Sequence, residues 1–259
     1  GWLFKRVDEL DKKKAFISKR KSIFLEIVDD LVIKHTLNNL ATNNSSETWM
    51  DSIERSGARI ELQAFRIYIY DFMFQLTKKK LYKYLADRLR DSVLRNFWDG
   101  NILSDGFQDA TVRPNMFIAY YFCPGMLEKE QWLKCFENAF DKLWLAWGGL
   151  ATLDKNKKSF AKFHTGQNPE SYHNGDSWFW LNNLAAIALY RFDRRRFKKQ
   201  IEKILKSSVS EILYKGAISH HSELSSAGRL QGEGCLMQAW SSAMFIELVH
   251  ELFFNGRGN

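Results

Sequence analysis

The sequence predicts an all-α fold, because apolar residues recur at helical spacing along most of its 259 residues. Four segments, 20–35, 128–147, 177–191 and 234–254, carry apolar side chains in a stripe that repeats every three to four residues. A fifth, 60–76, is apolar or aromatic on nearly every side, which is typical of a helix buried among several neighbours. No alternating strand pair and no Asn-Gly hairpin is evident, so we expect no sheet.

Four long loops of unusual composition separate these helices, at 36–50, 98–114, 152–177 and 215–234. They combine aromatic, carboxylate and amide side chains, and long loops of this kind in a compact fold are usually functional. Helices that alternate with such loops predict an α/α toroid, whose inner helices present their connecting loops at one end. No Gly/Ser-rich linker divides the chain, so we expect residues 1–259 to form a single domain.

The composition excludes several classes of protein. With 45% hydrophobic and 15% aromatic residues, the chain is neither disordered nor collagen-like. No apolar run approaches the roughly 18–20 residues of a membrane-spanning helix, and residues 1–21 lack the apolar stretch of a signal peptide. Cys123, Cys135 and Cys235 contain no Cys-x-x-Cys pair and fit neither a disulfide framework nor a zinc site. We therefore expect a soluble, cytoplasmic protein.

The formal net charge of +8 is concentrated in two stretches. Residues 1–21 carry +5 and residues 191–206 carry +6, while the rest of the chain carries −3. A basic surface that binds the phosphates of a nucleic acid is one interpretation. Solvated outer faces of helices are the favoured alternative, because a charge run on an amphipathic helix usually faces water.

Tryptophans and carboxylates cluster at or beside the loops. They are Trp49, Trp98, Trp178, Trp180 and Trp240, with Asp51, Glu61, Asp105, Asp109, Asp176, Glu223 and Glu233. Sugars need flat aromatic faces for their C–H surfaces, and glycosidic cleavage needs two carboxyl groups. The combination indicates carbohydrate chemistry, although a Trp on an apolar helix face is more often part of the core.

Other chemistries have less support in the sequence. The chain has no phosphate-binding Gly-rich loop, no His-Glu-x-x-His motif and no nucleophile elbow. His220, His221, Glu223 and His173 are of metal-ligating types, but adjacent histidines point in different directions. We expect no metal and no organic cofactor.

Five short elements between residues 48 and 242 occur in an order that matches one known family. They are T-W-M-D at 48–51, I-E-L-Q-A at 60–64, D-A-T-V-R-P-N at 109–115, Y-H-N-G-D-S-W at 172–178, and S-E-L at 222–224 followed by Gly234, Gln238, Ala239, Trp240 and Ser241. The ordered set resembles the C-terminal domain of glycogen debranching enzyme, the amylo-alpha-1,6-glucosidase family. It covers about three quarters of the chain.

This resemblance implies an (α/α)6 barrel that hydrolyses, with inversion, the α-1,6-linked glucose left at a trimmed glycogen branch. Asp51 matches the general acid of the family and Glu223 its general base. An inverting pair stands about 6.5–9.5 Å apart, so that a water molecule fits between the carboxylate and the sugar. The acid also needs burial or a neighbouring carboxylate to raise its pKa, and Trp49 offers an apolar wall.

The resemblance further implies a set of side chains that contact the sugar ring or its hydroxyls. They are Trp49, Glu61, Arg113, Asn115, His173, Asp176, Trp178, Gln238 and Trp240. Two alternatives stay open: Arg113 as a structural partner of Asp109, and Gln238 with Trp240 as supports of the last loop. Asp105 and Glu233 match no motif position, and we expect them at the surface.

The chain is short for the ring that its motifs imply. Twelve helices form an (α/α)6 barrel, whereas the sequence indicates about nine or ten, and only 47 residues precede the first motif. We expect the first helices of the barrel to be missing from this chain. The leading hypothesis is a glucosidase that acts on a glycogen-like α-glucan, and a trehalase-like or glucoamylase-like toroid hydrolase is an alternative. A non-catalytic glucan-binding subunit, completed by a partner segment or by self-association, is another; neither nucleic acid nor membrane is expected as a partner.

Overall fold

A computed structural model describes residues 1–166 and 168–254. The helices of its first part are α1 (Trp2–Leu10), α2 (Ala15–Lys19), α3 (Lys21–Lys34), α4 (Ile60–Thr77), α5 (Lys80–Phe97) and α6 (Asn115–Phe122). After a 3-10 turn at Pro124–Met126 follow α7 (Lys129–Leu143), α8 (Phe179–Asp193), α9 (Lys198–Tyr214) and α10 (Ala239–Phe253). All five segments that were predicted to be helical contain a helix, so the predicted all-α class is confirmed.

The expectation that strand pairs are absent is wrong at two places. β1 (Thr36–Leu37) pairs antiparallel with β2 (Leu40–Ala41), and β3 (Ser177–Trp178) pairs antiparallel with β4 (Leu224–Ser225). Asn38 and Asn39 form the first turn with φ of 50° and 65°. Asparagine tolerates this left-handed region, so an Asn-Asn pair forms the kind of turn that we expected only from Asn-Gly. The strands of the second pair lie too far apart in the chain for a local pattern to reveal them.

The chain divides into two compact units, which are described separately. One comprises Gly1–Ala110 with Phe122–Leu133, and the other Thr111–Tyr121 with Lys134–Asn259. The prediction of a single domain stays a prediction. Among the described helices, none combines the length and apolar character that crossing a bilayer requires.

The core of the first unit is built around α4, which packs on α5 and contacts α1 and α3. The rings of Phe4, Phe24 and Phe72, one from each of α1, α3 and α4, form a triangle with centroid distances of 5.2 to 5.4 Å. Contacts on several sides explain why the segment 60–76 is apolar around most of its circumference.

The core of the second unit is built around α8, which packs on both α9 and α10. Every residue of α8 from Phe179 to Leu189 is buried. The sequence indicated a single apolar stripe here, but two neighbouring helices cover more than one face. Since β3 leads directly into α8, its pairing with β4 sets the 172–178 loop beside the 222–226 loop at this end of the helix.

Candidate active site

Asp51 lies in the first unit, on the long loop between β2 and α4. Met50 is fully buried and fixes this loop to the unit, whereas Trp49 is half-buried and Asp51 is exposed. The Arg55 guanidinium donates a 2.8 Å hydrogen bond from Nη1 to Thr48 Oγ1, which ties the start of the motif to the core. The burial that we expected of a proton donor at Asp51 is therefore not present in this structure.

Beneath the Asp51 loop lies a buried ion cluster centred on Arg55. Its guanidinium donates to both oxygens of Glu61, at 2.8 and 3.1 Å, and to both oxygens of Asp105, each at 2.9 Å. Arg59 Nη1 lies 3.5 Å from Asp105 Oδ2 and 2.6 Å from Asp109 Oδ2. Burial alone would lower the pKa of Arg55, but the charges and hydrogen bonds of Glu61 and Asp105 raise it above its usual value.

This cluster changes the interpretation of two carboxylates. Glu61 is 1% exposed and both of its oxygens bind Arg55, so the structure gives it an ionic partner where a sugar contact was expected. The expectation that Asp105 lies at the surface is wrong, because it is 1% exposed at the centre of the cluster. Both side chains support the loop that carries Asp51.

Glu223 lies in the second unit, immediately before β4, and its carboxylate accepts three hydrogen bonds. Tyr172 Oη and Gln238 Nε2 donate to Oε1 at 2.7 and 3.0 Å, and the backbone amide of Cys235 donates to Oε2 at 3.0 Å. An ionised carboxylate only accepts hydrogen bonds, and all three neighbours are donors. Glu223 is nevertheless half-buried rather than enclosed. The arrangement fixes a carboxylate in one orientation at the surface of the unit.

Tyr172 is a site residue that the sequence analysis did not select. Its carbonyl accepts a 2.9 Å hydrogen bond from Trp178 Nε1, and the two rings lie edge to face at 4.8 Å. The ring of His173 stacks on the ring of Trp178, with their centroids 5.1 Å apart. Trp178 is 4% exposed and His173 is fully buried. Both side chains therefore lie in the core, although we expected each of them to contact the sugar. The signal that could have revealed Tyr172 is its place at the start of the Y-H-N-G element.

Asp176 and Arg113 stabilise the loop between α7 and β3. Asp176 is fully buried, and its Oδ2 lies 2.7 Å from both Ser171 Oγ and His164 Nδ1. Burial raises its pKa, and the bonds from His164 and Ser171 counter only part of that effect. Arg113 donates to the carbonyls of Thr152 and His173 and to Asn174 Oδ1.

Three other residues predicted to contact sugar occupy different environments. Asn115 opens α6 and is fully buried. Trp240 is half-buried and stacks on buried Trp180 with centroids 3.9 Å apart. Gln238 both donates to Glu223 and accepts from Ser241 Oγ at 2.8 Å, so it joins the loop to the first turn of α10. This geometry favours the alternative in which Gln238 supports the last loop, because its side chain binds Glu223 on that loop.

Comparison with known proteins identifies the family. A family model described as amylo-alpha-1,6-glucosidase matches residues 24–247. The chain belongs to the amylo-alpha-1,6-glucosidase family. The resemblance that the five motifs indicated is thereby confirmed. A search of curated proteins by sequence gives no match.

Solved structures resemble this amylo-alpha-1,6-glucosidase family member in fold at low sequence identity. A GH63 mannosylglycerate hydrolase from Thermus thermophilus, in complex with glucose, is 13% identical with a TM-score of 0.66, over 95% of this chain and 72% of that one. A sialidase is 15% identical with a TM-score of 0.68, over 91% and 24%. The neutral trehalase of Saccharomyces cerevisiae is 15% identical with a TM-score of 0.57, over 75% and 38%.

These likenesses confirm the predicted fold, the six-hairpin α/α toroid of glycosidases. This family member spans less than half the length of the sialidase and trehalase chains. The family and these toroid neighbours, the GH63 enzyme and the trehalase, are glycoside hydrolases. Within residues 1–166 and 168–254, no group of three or more His, Cys, Asp or Glu side chains is placed to bind a metal ion.

Gly234 permits the close approach of the chain to Glu223 and provides a test of the site geometry in this amylo-alpha-1,6-glucosidase family member. Its φ is +66°, and a Cβ there would lie 2.4 Å from Glu223 Oε2. We expect Gly234→Ala to lower the free energy of unfolding by about 1–2 kcal/mol, because alanine is strained in this region. Urea unfolding measures the change. Gly125→Ala is the control, since a Cβ at Gly125 meets nothing within 4 Å; an equal loss in both variants would contradict the prediction.

Proposed function

We propose that this chain carries the acid and base of an inverting glycoside hydrolase that releases glucose from α-1,6 branch stubs of a glycogen-like α-glucan. The observation that carries the proposal is the Glu223 carboxylate, half-buried and oriented by three hydrogen-bond donors on a motif that matches the general base of the family. Family membership over residues 24–247 supports the substrate class. Asp51, on the exposed part of its loop, is the proposed acid.

In the proposed reaction, a water molecule attacks the anomeric carbon from the face opposite the leaving group. Glu223 accepts a proton from this water, and the new C–O bond forms as the bond to the glycosidic oxygen breaks. Asp51 donates its proton to that oxygen, so the glucan leaves with a hydroxyl group. A sugar bound over Asp51 and Trp49 would exclude bulk solvent from the space around the proposed acid.

The test is glucose release by the full chain from a branched limit dextrin. Panose, isomaltose, maltose and trehalose assayed in parallel separate the proposed activity from that of a trehalase-like or glucoamylase-like enzyme. Proton NMR of the first product adds a second criterion, because inversion at an α-linkage releases β-glucose. Release of α-glucose, or turnover of trehalose alone, would contradict the proposal.

A second candidate function is glucan binding without turnover. It is favoured by the small part of the solved structures that this chain matches, which is 24% of the length of the sialidase and 38% of the length of the trehalase. This candidate predicts that the chain binds a limit dextrin in a pull-down or by calorimetry and releases no glucose. A further segment or a second copy of the chain would then restore turnover when it is added.

The hydroxyl of Tyr172 tests the orientation of the base. Tyr172→Phe removes the 2.7 Å hydrogen bond to Glu223 Oε1 and leaves that of Gln238. Hydrogen bonds to charged groups contribute about 1.5–3 kcal/mol, so we expect kcat to fall about tenfold or more. KM should change little, because the hydroxyl acts on the base. Steady-state kinetics on the limit dextrin measures both constants.

The control for this change is Tyr190→Phe in the same unit. The hydroxyl of Tyr190 accepts a 3.2 Å hydrogen bond from the exposed Arg194 and none of its contacts involves Glu223. We expect kcat to stay near the wild-type value in this variant. Equal kcat in Tyr172→Phe and wild type would show that the hydrogen bond does not orient the base.

A further inference from the structure

A carboxylate and an imidazole form a buried pair directly behind the Glu223 loop. Glu211, on α9, is fully buried, and His221, two residues before Glu223, is 1% exposed. Glu211 Oε2 lies 2.6 Å from His221 Nδ1, and Glu211 Oε1 accepts a 2.6 Å hydrogen bond from Ser222 Oγ. Both oxygens of one carboxylate therefore bind the two residues that precede Glu223.

Both ring nitrogens of His221 have a buried polar neighbour. Nδ1 lies 2.6 Å from Glu211 Oε2, and Nε2 lies 3.2 Å from Asn183 Nδ2. The Asn183 side chain is held in turn by a 2.8 Å hydrogen bond that Ser208 Oγ donates to its oxygen. The orientation of the imidazole ring is therefore fixed from both sides.

The backbone of His221 connects this pair to the donors of the proposed base. The His221 carbonyl accepts a 2.9 Å hydrogen bond from the amide of Gln238, whose side chain donates to Glu223 Oε1. The Glu223 amide donates in turn to the Cys235 carbonyl at 2.8 Å, and the Cys235 amide donates to Glu223 Oε2. Gln238 thus links the Glu223 carboxylate to His221, and Cys235 binds both the backbone and the carboxylate of Glu223.

Two glycines close the chain over Glu211 and Ser222. A Cβ at Gly216 would lie 2.3 Å from Glu211 Oε1, and one at Gly232 would lie 2.4 Å from Ser222 Oγ. Backbone therefore covers the carboxylate, and a substrate has no access to it. Any effect of Glu211 on the reaction must act through the loop that carries Glu223.

We propose that the Glu211–His221 pair is a positioning device for Glu223: it fixes the loop so that the base carboxylate keeps its orientation toward the attacking water. The proposal rests on the proposed function in one respect, the role of Glu223 as the base. Glu211 and His221 are positioning residues and not catalytic ones, because neither is exposed to substrate.

The test replaces Glu211 by its neutral isostere. The side-chain amide of Glu211→Gln keeps an acceptor for His221 Nδ1 and a donor for Ser222 Oγ, but it carries no charge, so both charge-assisted hydrogen bonds become weaker neutral ones. We expect kcat to fall about tenfold or more with KM within about twofold of wild type. Ser222→Ala removes only the bond to Oε1, and we expect a smaller change in the same direction.

The matched control is Glu251→Gln, a buried acid of the same unit that binds Arg191 at 2.8 and 2.9 Å. This change weakens the ion pair with Arg191 and leaves in place the side chains that donate to Glu223, so kcat should stay close to wild type. Hydrogen–deuterium exchange adds a readout independent of activity. The amides of Glu223, Cys235 and Gln238 should exchange faster in Glu211→Gln than in Glu251→Gln.

Glucose release and amide exchange together distinguish a failure of the positioning role from a failure of the proposed function. If wild type releases no glucose, the proposed function fails, and amide exchange alone then decides whether Glu211 fixes the loop. Unchanged kcat together with unchanged exchange in Glu211→Gln would overturn the positioning role. An equal fall of kcat in Glu251→Gln would overturn it as well, since the effect would then reflect general stability.

Discussion

The Glu223→Gln variant should release glucose from a branched limit dextrin about 10²–10⁴-fold more slowly than wild type, with glucan binding retained. This range is the usual contribution of a general base, and the amide cannot take a proton from water. The neutral side chain keeps the volume of Glu223, and its oxygen can still accept from Tyr172 or from Cys235. Initial rates of glucose release measure the loss, and calorimetry with the limit dextrin measures the binding.

Glu233→Gln is the matched control for this prediction. Glu233 is a half-buried glutamate whose backbone pairs with Leu224, next to Glu223, so the exchange is made in the same loop. We expect its rate to lie near that of wild type. Full activity in Glu223→Gln, or an equal loss of activity in Glu233→Gln, would contradict the assignment of Glu223 as the general base.

The sequence predicted the helices well because their apolar periodicity is a local property. The segment 60–76 shows this clearly, since α4 occupies Ile60–Thr77 and packs on several neighbours. The pairing of β3 with β4 joins residues 177–178 with 224–225, and each strand has only two residues. Two residues carry no readable alternation, so only the folded chain reveals this contact.

The motifs identified the family but did not separate residues at the surface of the unit from those buried in its core. Trp178 and His173 match the motif as well as Tyr172 does, yet they are buried and Tyr172 donates to Glu223. Asp105 matches no motif position and is nevertheless central to a buried ion cluster. Burial depends on partners distant in the chain, which residue types and spacing do not encode.

Arg55→Met should destabilise the first unit more than any exposed ion-pair change. Removing one partner of a buried pair leaves an uncompensated charge, which typically costs about 3–5 kcal/mol. Glu61 is 1% exposed and binds Arg55 through both oxygens, so it would lose both of these hydrogen bonds. The free energy of unfolding in urea measures the loss. The exposed pair between Arg196 and Glu137 is the control, and Arg196→Met should change stability little.

A double variant isolates the contribution of the Glu61 charge. In Arg55→Met with Glu61→Gln, the side chain at position 61 is neutral, so its burial costs less than that of a carboxylate, while Asp105 keeps its contact with Arg59. We therefore expect the double variant to be more stable than Arg55→Met alone, and the difference measures the coupling between the two side chains. If Glu61→Gln gave no recovery, the loss would not come from the uncompensated charge of Glu61. Because Arg55 also donates to Thr48, the single variant should expose the Asp51 loop to faster amide exchange, which links the ion cluster to the proposed acid.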